Sequence, residues 1–213
     1  MPPTWDLKFD ASFRPPALSG EKFAELKSKV LEEAAKRNVR FLAYVIHHGI
    51  VDTKLKKEKA FRAAMNTLLY NFNKFLTREQ THGLFVVDRF DGATCLDLVK
   101  SIFTRGLDLP PEKARKAIRR VFLMGASCIG AGHLMSLLDI VVGAFRYCVN
   151  APEEKFAVAR RLLSTLDPLL LSSPTNPALK DEWGLIVRPQ DVRAPHFRID
   201  YRAFRDRFAR LRQ

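Results

Sequence analysis

Residues 127–147 read SCIGAGHLMSLLDIVVGAFRY, and Asp139 is the one carboxylate in the stretch. Gly125, Gly130 and Gly132 break the apolar passage around it into a short strand-like piece and a helix. The passage 121–149 is long enough to span a bilayer, but these glycines and Asp139 favour a buried helix, so no membrane partner is expected. An ionised carboxylate among Leu137, Leu138, Ile140, Val141 and Val142 costs several kcal/mol to bury without a partner. Asp139 is therefore expected either to face a cleft or to serve a purpose.

Upstream, the prolines at 2, 3, 15 and 16 surround WDLKFDASF and predict an extended lead-in with little regular structure. Ser19 is a candidate N-cap for a helix to Arg37, with Phe23, Leu26, Val30 and Ala34 at helical spacing. VRFLAYVI (39–46) is a continuous apolar run, the pattern of a strand covered on both faces. A long helix follows over 54–77, with Phe61, Met65, Leu68, Phe72 and Phe75 in one stripe and Lys54, Lys56, Lys57 and Lys59 crowding its start. Those cations oppose the helix dipole; a bound anion would relieve them, and a solvated face also explains them.

LFVVD (84–88) reads as a buried strand ending in an acid, the place where α/β folds open onto a ligand crevice. Asp91 suits a capping role before an amphipathic helix at 93–104, which leaves Asp88 as the acid to explain. A further strand is expected at 118–123. Downstream of the Asp139 helix, which ends at Asn150, Ala151 and Pro152, another helix runs from about Phe156 toward Pro168. WGLIVRPQDVRAPHF reads as a short apolar patch with a proline-punctuated exit. The final helix, 200–212, sets Tyr201, Phe204, Phe208 and Leu211 along one side and Arg202, Arg205, Arg207, Arg210 and Arg212 on others. Alternation of helix and strand predicts the α/β class.

Of 213 residues, 36 are Lys or Arg and 23 are Asp or Glu, a formal net charge of +13. Such a chain attracts polyanions at long range, which points to nucleic acid as partner and, second, to an acidic membrane surface. Arg202, Arg205, Arg210, Lys56 and Lys57 are the candidate phosphate contacts. Cys95, Cys128 and Cys148 have no CxxC spacing and suggest a reducing, cytoplasmic setting. MPPTWDLKFD has no basic and apolar pattern of a secretion signal. Phosphate-loop, dinucleotide, zincin and nucleophile-elbow motifs are absent, and His47 and His48 lack zinc-site spacing.

Two acids, Asp88 and Asp139, remain. Phosphodiester hydrolysis by two metals needs several carboxylates converging from separate elements, together with a basic surface to hold the polyanion. A purely structural reading pairs Asp139 with a neighbour such as Arg146.

The order of apolar strand, long helix, LFVVD strand, strand ending near Ser127, glycine-containing turn and LLDIVVGAFRY resembles the family called domain of unknown function 3800. The tail LIVRPQDVRAPHFRIDYRAF resembles the ending of its members, and the likeness runs from about Trp5 to the C-terminus. The resemblance implies a ribonuclease H-like fold, a mixed sheet flanked by helices over residues 1–178, followed by a C-terminal extension, 179–213, whose basic helix packs on it. It implies a metal-dependent nuclease acting on nucleic acid, with Mg²⁺ or Mn²⁺ held by Asp88 and Asp139 and with Asp6 as a further ligand. It also leaves the alternative of an inactive relative that binds nucleic acid or a protein through its basic surface. The family's opening Asp-Glu-Ser strand has no match in MPPTWDLKFD, and Ser136 stands where its glutamine is common. An N-terminally shortened domain is thus implied, with an exposed sheet edge or a gap unless residues 4–13 fill it.

Overall fold

The computed structural model describes residues 8–88, 92–108, 115–127, 133–176, 180–190 and 192–213. Its elements follow the order α1 (Gly20–Lys36), β1 (Ala43–Ile46), α2 (Lys54–Arg78), β2 (Gly83–Asp88), α3 (Gly92–Arg105), β3 (Leu107–Asp108), β4 (Arg115–Lys116), β5 (Val121–Ser127), α4 (His133–Asn150), α5 (Phe156–Leu166), β6 (Leu185–Arg188) and α6 (Pro195–Arg212). The chain is α/β and divides into two compact units, Met1–His47 with Ile129–Gln213, and His48–Cys128.

In the first unit β1 and β6 pair in parallel, from Ala43 opposite Leu185 to Ile46 opposite Arg188. The apolar run at 39–46 gives a shorter ladder than its composition predicts. Phe41 pairs instead with the segment after α5, donating to the Leu169 carbonyl at 2.6 Å and accepting from the Leu171 amide at 3.0 Å. Gly184 leads into β6 where a Cβ would lie 2.4 Å from the Leu171 carbonyl oxygen, so only glycine lets the two backbones pass. Among the described residues Leu185–Arg188 therefore supplies one of this unit's two strands, so the segment expected as a C-terminal extension is not an addition to a domain completed before it. LIVR, an unassigned apolar patch in the sequence, is that strand.

Helices cover the pair. Phe23, Leu31 and Ala34 of α1, Ile140, Val141, Ala144, Phe145 and Cys148 of α4, and Ala159, Leu163 and Leu166 of α5 are all buried. The Phe145 ring lies 5.7 Å from Phe41 and 6.0 Å from Phe208 of α6, linking strand and helices. Side chains of this kind contribute roughly 1.5–3 kcal/mol each on burial. Ser19 caps α1 as its sequence predicts, its hydroxyl accepting the Lys22 amide at 3.2 Å. α6 begins at Pro195, five residues before the expected start at Asp200, because proline is well suited to a first helical position.

One contact orders the N-terminal segment. Asp139 Oδ2 accepts the Phe9 amide proton at 2.8 Å, and Lys27 Nζ of α1 donates to the Phe9 carbonyl at 2.9 Å. The Lys27 ammonium also sits 4.5 Å from the centres of the Phe9 and Phe23 rings. Phe9 lies over Gly143, one turn beyond Asp139, and its ring is 6.3 Å from Tyr147, one turn further. Residues 139, 143 and 147 thus form one helical face that receives Phe9. Beyond it, residues 11–13 form a 3₁₀ turn capped by Asp10 through the Ser12 amide. Residues 8–13 do not fill the expected first strand, and the earlier residues lie outside those described.

The second unit is built on α2, whose N-cap Thr53 accepts the Lys56 amide. β2 and β5 pair in parallel, shifting register after Gly83, and end with Asp88 opposite Ser127. Phe85, Val87 and Met124 pack with Met65 and Leu69 of α2, Leu98 and Ile102 of α3, and Leu107. Leu84, Val86 and Leu123 are exposed. Asn73 Oδ1 accepts the amides of Arg119 and Arg120 at 3.2 and 3.0 Å, fixing the entry to β5, which starts three residues later than the sequence predicts. β3 and β4 form a short antiparallel ladder. Among the described residues the strands make three separate pairs, not one sheet, and no helix is long and apolar enough to cross a membrane.

The Phe9 seat gives a sharp expectation for Gly143, where a Cβ would lie 2.3 Å from that of Phe9. Gly143→Ala is expected to lower stability in urea by about 1–2 kcal/mol, the clash outweighing the helix preference for alanine of about 1 kcal/mol. With Phe9→Ala already present, the same change should become neutral or stabilising. An unchanged midpoint in the native background would refute the seat.

Candidate functional site

Of the acids singled out by sequence, Asp139 is half-buried and engaged by the Phe9 amide; the partner is a backbone N–H and not Arg146. Asp88 has its backbone at the C-terminal end of β2, and its side chain lies outside the described residues. Asp6 lies outside them altogether. Asp88 and Asp139 belong to different compact units. Among the described residues no group of three or more His, Cys, Asp or Glu side chains is gathered to hold a cation. The described side chains therefore do not make up the ligand set of a two-metal centre, and no chemical step through Mg²⁺ or Mn²⁺ follows from them.

The predicted cations separate into two groups. Lys56 is paired with Asp52 at 2.8 Å, one helical turn back, while Lys57 is exposed and has no ion pair among the described residues. Arg210 contacts Glu153 at 3.2 Å and lies 5.2 Å from the Phe156 ring. Arg207 does the same work beside it, reaching the Ala151 carbonyl and Glu153, and Arg212 meets Asp167 at 2.9 Å. These three arginines tie α6 to α5 and the turn on either side of it.

The arginines nearer the start of α6 are free of such ties. Arg198, Arg202 and Arg205, at positions i, i+4 and i+7, join Arg193, Tyr201 and Asp206 in lining a cleft of about 580 Å³. Arg198 is used in part to hold the loop before the helix, its Nε donating to the Val192 carbonyl at 3.1 Å. Arg193, Arg202 and Arg205 have no carboxylate within ion-pair distance among the described residues, although Arg205 lies in the field of Glu182. Sequence reasoning passed over Arg193 and Arg198. Pro195 at the first helical position was the available signal, because it extends the helix far enough to bring Arg198 onto the Arg202 face.

The cleft sits where β1 and β6 both end. Tyr201, buried in its wall, accepts the His47 amide proton at 2.9 Å and donates to the Arg188 carbonyl, so α6 is bolted to both strand ends. Burial pushes the Tyr201 phenol up, which keeps it neutral and able to donate. His47 Nε2 lies 3.3 Å from Asp200, also on α6. Arg188 forks onto Glu182, with its two terminal nitrogens 2.8 and 2.6 Å from the two carboxylate oxygens. The backbone under the cleft is thus held at both strand ends, and the exposed guanidinium groups that α6 carries over it suit phosphate or carboxylate anions. Elsewhere in this unit the Cys148 thiol is buried and pushed up to about 12 by that burial, which makes it an inert core group.

The Arg188 hydrogen bonds hold the Glu182 carboxyl below the usual carboxylate range. A depressed folded-state value means that the pair stabilises the protein above the unfolded carboxylate value, about 4.3, and that this contribution is lost as pH falls through the folded one. Glu182 is half-exposed, so Glu182→Gln is expected to cost only about 0.5–1 kcal/mol at pH 7. Urea titrations should show that difference closing at acid pH, and a difference that persists there would contradict the pairing.

Comparison with family models, with curated proteins and with solved structures found no match to this chain.

Proposed function

We propose that this chain binds nucleic acid through the arginine cleft at the β1 and β6 strand ends. The observation that supports it best is the division of labour on α6, in which Arg207, Arg210 and Arg212 are spent on the protein while Arg198, Arg202 and Arg205 line an open, basic cleft with Arg193. A net charge of +13 supplies the long-range attraction that brings a polyanion to such a surface. Phosphate contacts of this kind position a nucleic acid without reading its bases, so the binding is sequence-tolerant and salt-sensitive.

A second reading is metal-dependent phosphodiester cleavage by a ribonuclease H-like domain. It rests on the resemblance to the domain of unknown function 3800 family and on the position of Asp88 at the end of a parallel strand, where α/β proteins bind their ligands. In that reading Asp88 acts as a metal ligand, with Asp139 and Asp6 as the other acids. Asp88→Ala is its cleaner test, since Asp139 also holds Phe9. Loss of Mn²⁺-dependent cleavage with unchanged binding is the outcome it requires.

Fluorescence anisotropy with a labelled single-stranded oligonucleotide, repeated across salt concentrations, tests the binding itself. Removing two phosphate contacts with Arg202→Gln and Arg205→Gln should weaken binding and flatten the logarithmic salt slope by about 1.4. Arg210→Gln should leave the slope within error, because that guanidinium already faces Glu153. Equal effects of the two sets, or none from either, would place the nucleic acid elsewhere.

A further inference from the structure

The second compact unit has a basic cavity of its own. Arg62 of α2, Arg105 at the end of α3 and Arg115 of β4 surround a cavity of about 220 Å³. Asn66, one turn beyond Arg62, and Ser101 complete its polar wall, and Leu98 and Ile102, both buried in the hydrophobic core, form its floor. Arg105 is held in place by a 2.8 Å hydrogen bond from Nη2 to Ser101 Oγ, which leaves its other nitrogens available. Among the described residues the one carboxylate in the lining is Asp108, opposite Arg115 in the β3–β4 ladder. None of the three arginines has a carboxylate within ion-pair distance among the described residues.

We propose that this cavity binds a phosphate dianion, either free inorganic phosphate or the terminal phosphate of a phosphomonoester. Three guanidinium groups against one carboxylate leave a charge of +2, which matches a phosphate carrying about −1.5 to −2 at neutral pH. Guanidinium forks from three separate elements suit the tetrahedral oxygens of that group, and the Asn66 amide and Ser101 hydroxyl supply further donors. Three cations brought together repel one another, and the bound dianion removes that repulsion. The apolar floor lowers the local dielectric and strengthens each contact. A cavity below the usual range of about 300–1,000 Å³ for organic ligands admits the phosphate group and leaves the remainder of a larger ligand outside. The site lies in a different unit from the α6 cleft and does not depend on the function proposed for that cleft.

Titration calorimetry of the full chain with inorganic phosphate, at constant ionic strength maintained with chloride, is the test. Wild-type protein should bind phosphate, and Arg62→Gln or Arg115→Gln should raise the dissociation constant at least tenfold. Both arginines are exposed, so these variants retain their fold, which circular dichroism checks. Arg146→Gln, exposed on α4 and part of neither cavity, should leave phosphate binding unchanged, which excludes a general loss of positive charge as the cause. A mononucleotide 5′-phosphate competing for the phosphate heat, where its nucleoside does not, would identify the phosphomonoester as a ligand; competition by neither assigns the site to free phosphate. Absence of phosphate binding in the wild type, or an equal loss of binding in the Arg146 variant, would overturn the proposal.

Discussion

The hydrogen bond from the Phe9 amide to Asp139 is the constraint on which the first unit's arrangement turns. It joins residues far apart in the chain and converts an acid that does not belong in an apolar helix into a satisfied acceptor. The same helical face offers Gly143 as the seat for the Phe9 side chain and Tyr147 as its neighbour. Lys27 closes the arrangement from α1, holding the Phe9 carbonyl and lying against two aromatic rings. Burial pushes the Lys27 ammonium down, so this contact includes a desolvation cost that the carbonyl and ring contacts offset.

On the far side of α4, Phe145 and its neighbours connect that clamp to the strand pair and to α6. The strand ends then determine where function can reside. Tyr201 fastens α6 to both β1 and β6, and along the helix so fastened the earlier arginines line a cleft while the later ones meet α5 and its flanking turns. A basic surface alone would say little, because solvated arginines are common. Pinning half of the helix's guanidinium groups by Glu153 and Asp167 while leaving a face at i, i+4 and i+7 available is a more specific pattern.

Much of this was legible in the sequence wherever a local rule governs. Ser19 capping α1, the extent of α2, the position of the LFVVD strand and the breadth of α4 follow from capping and periodicity, whereas of the expected α2 stripe only Met65 is buried, the core taking Leu69 and Leu76, and Leu84 and Val86 of the strand read as buried are exposed. LIVR was not legible as a strand, because three apolar residues and an arginine between Gly184 and Pro189 carry no period, and its partner β1 lies more than a hundred residues away. The start of α6 was hidden because Pro195 falls in the proline-punctuated exit of the apolar patch, where it opens the helix. Asp139 was recognisable as out of place, but its partner was not recognisable at all. A backbone amide has no side-chain signature, and only the folded chain brings Phe9 to it.

Amide hydrogen exchange at Phe9, followed by NMR in the native full-length protein, tests this most directly. The Phe9 amide is expected to exchange at least tenfold more slowly than in an unstructured peptide of the same sequence, and Asp139→Ala should return it toward the unstructured rate while the amides of α5 keep their protection. Unprotected exchange at Phe9 in the wild type, or protection that survives loss of the Asp139 carboxylate, would contradict the clamp.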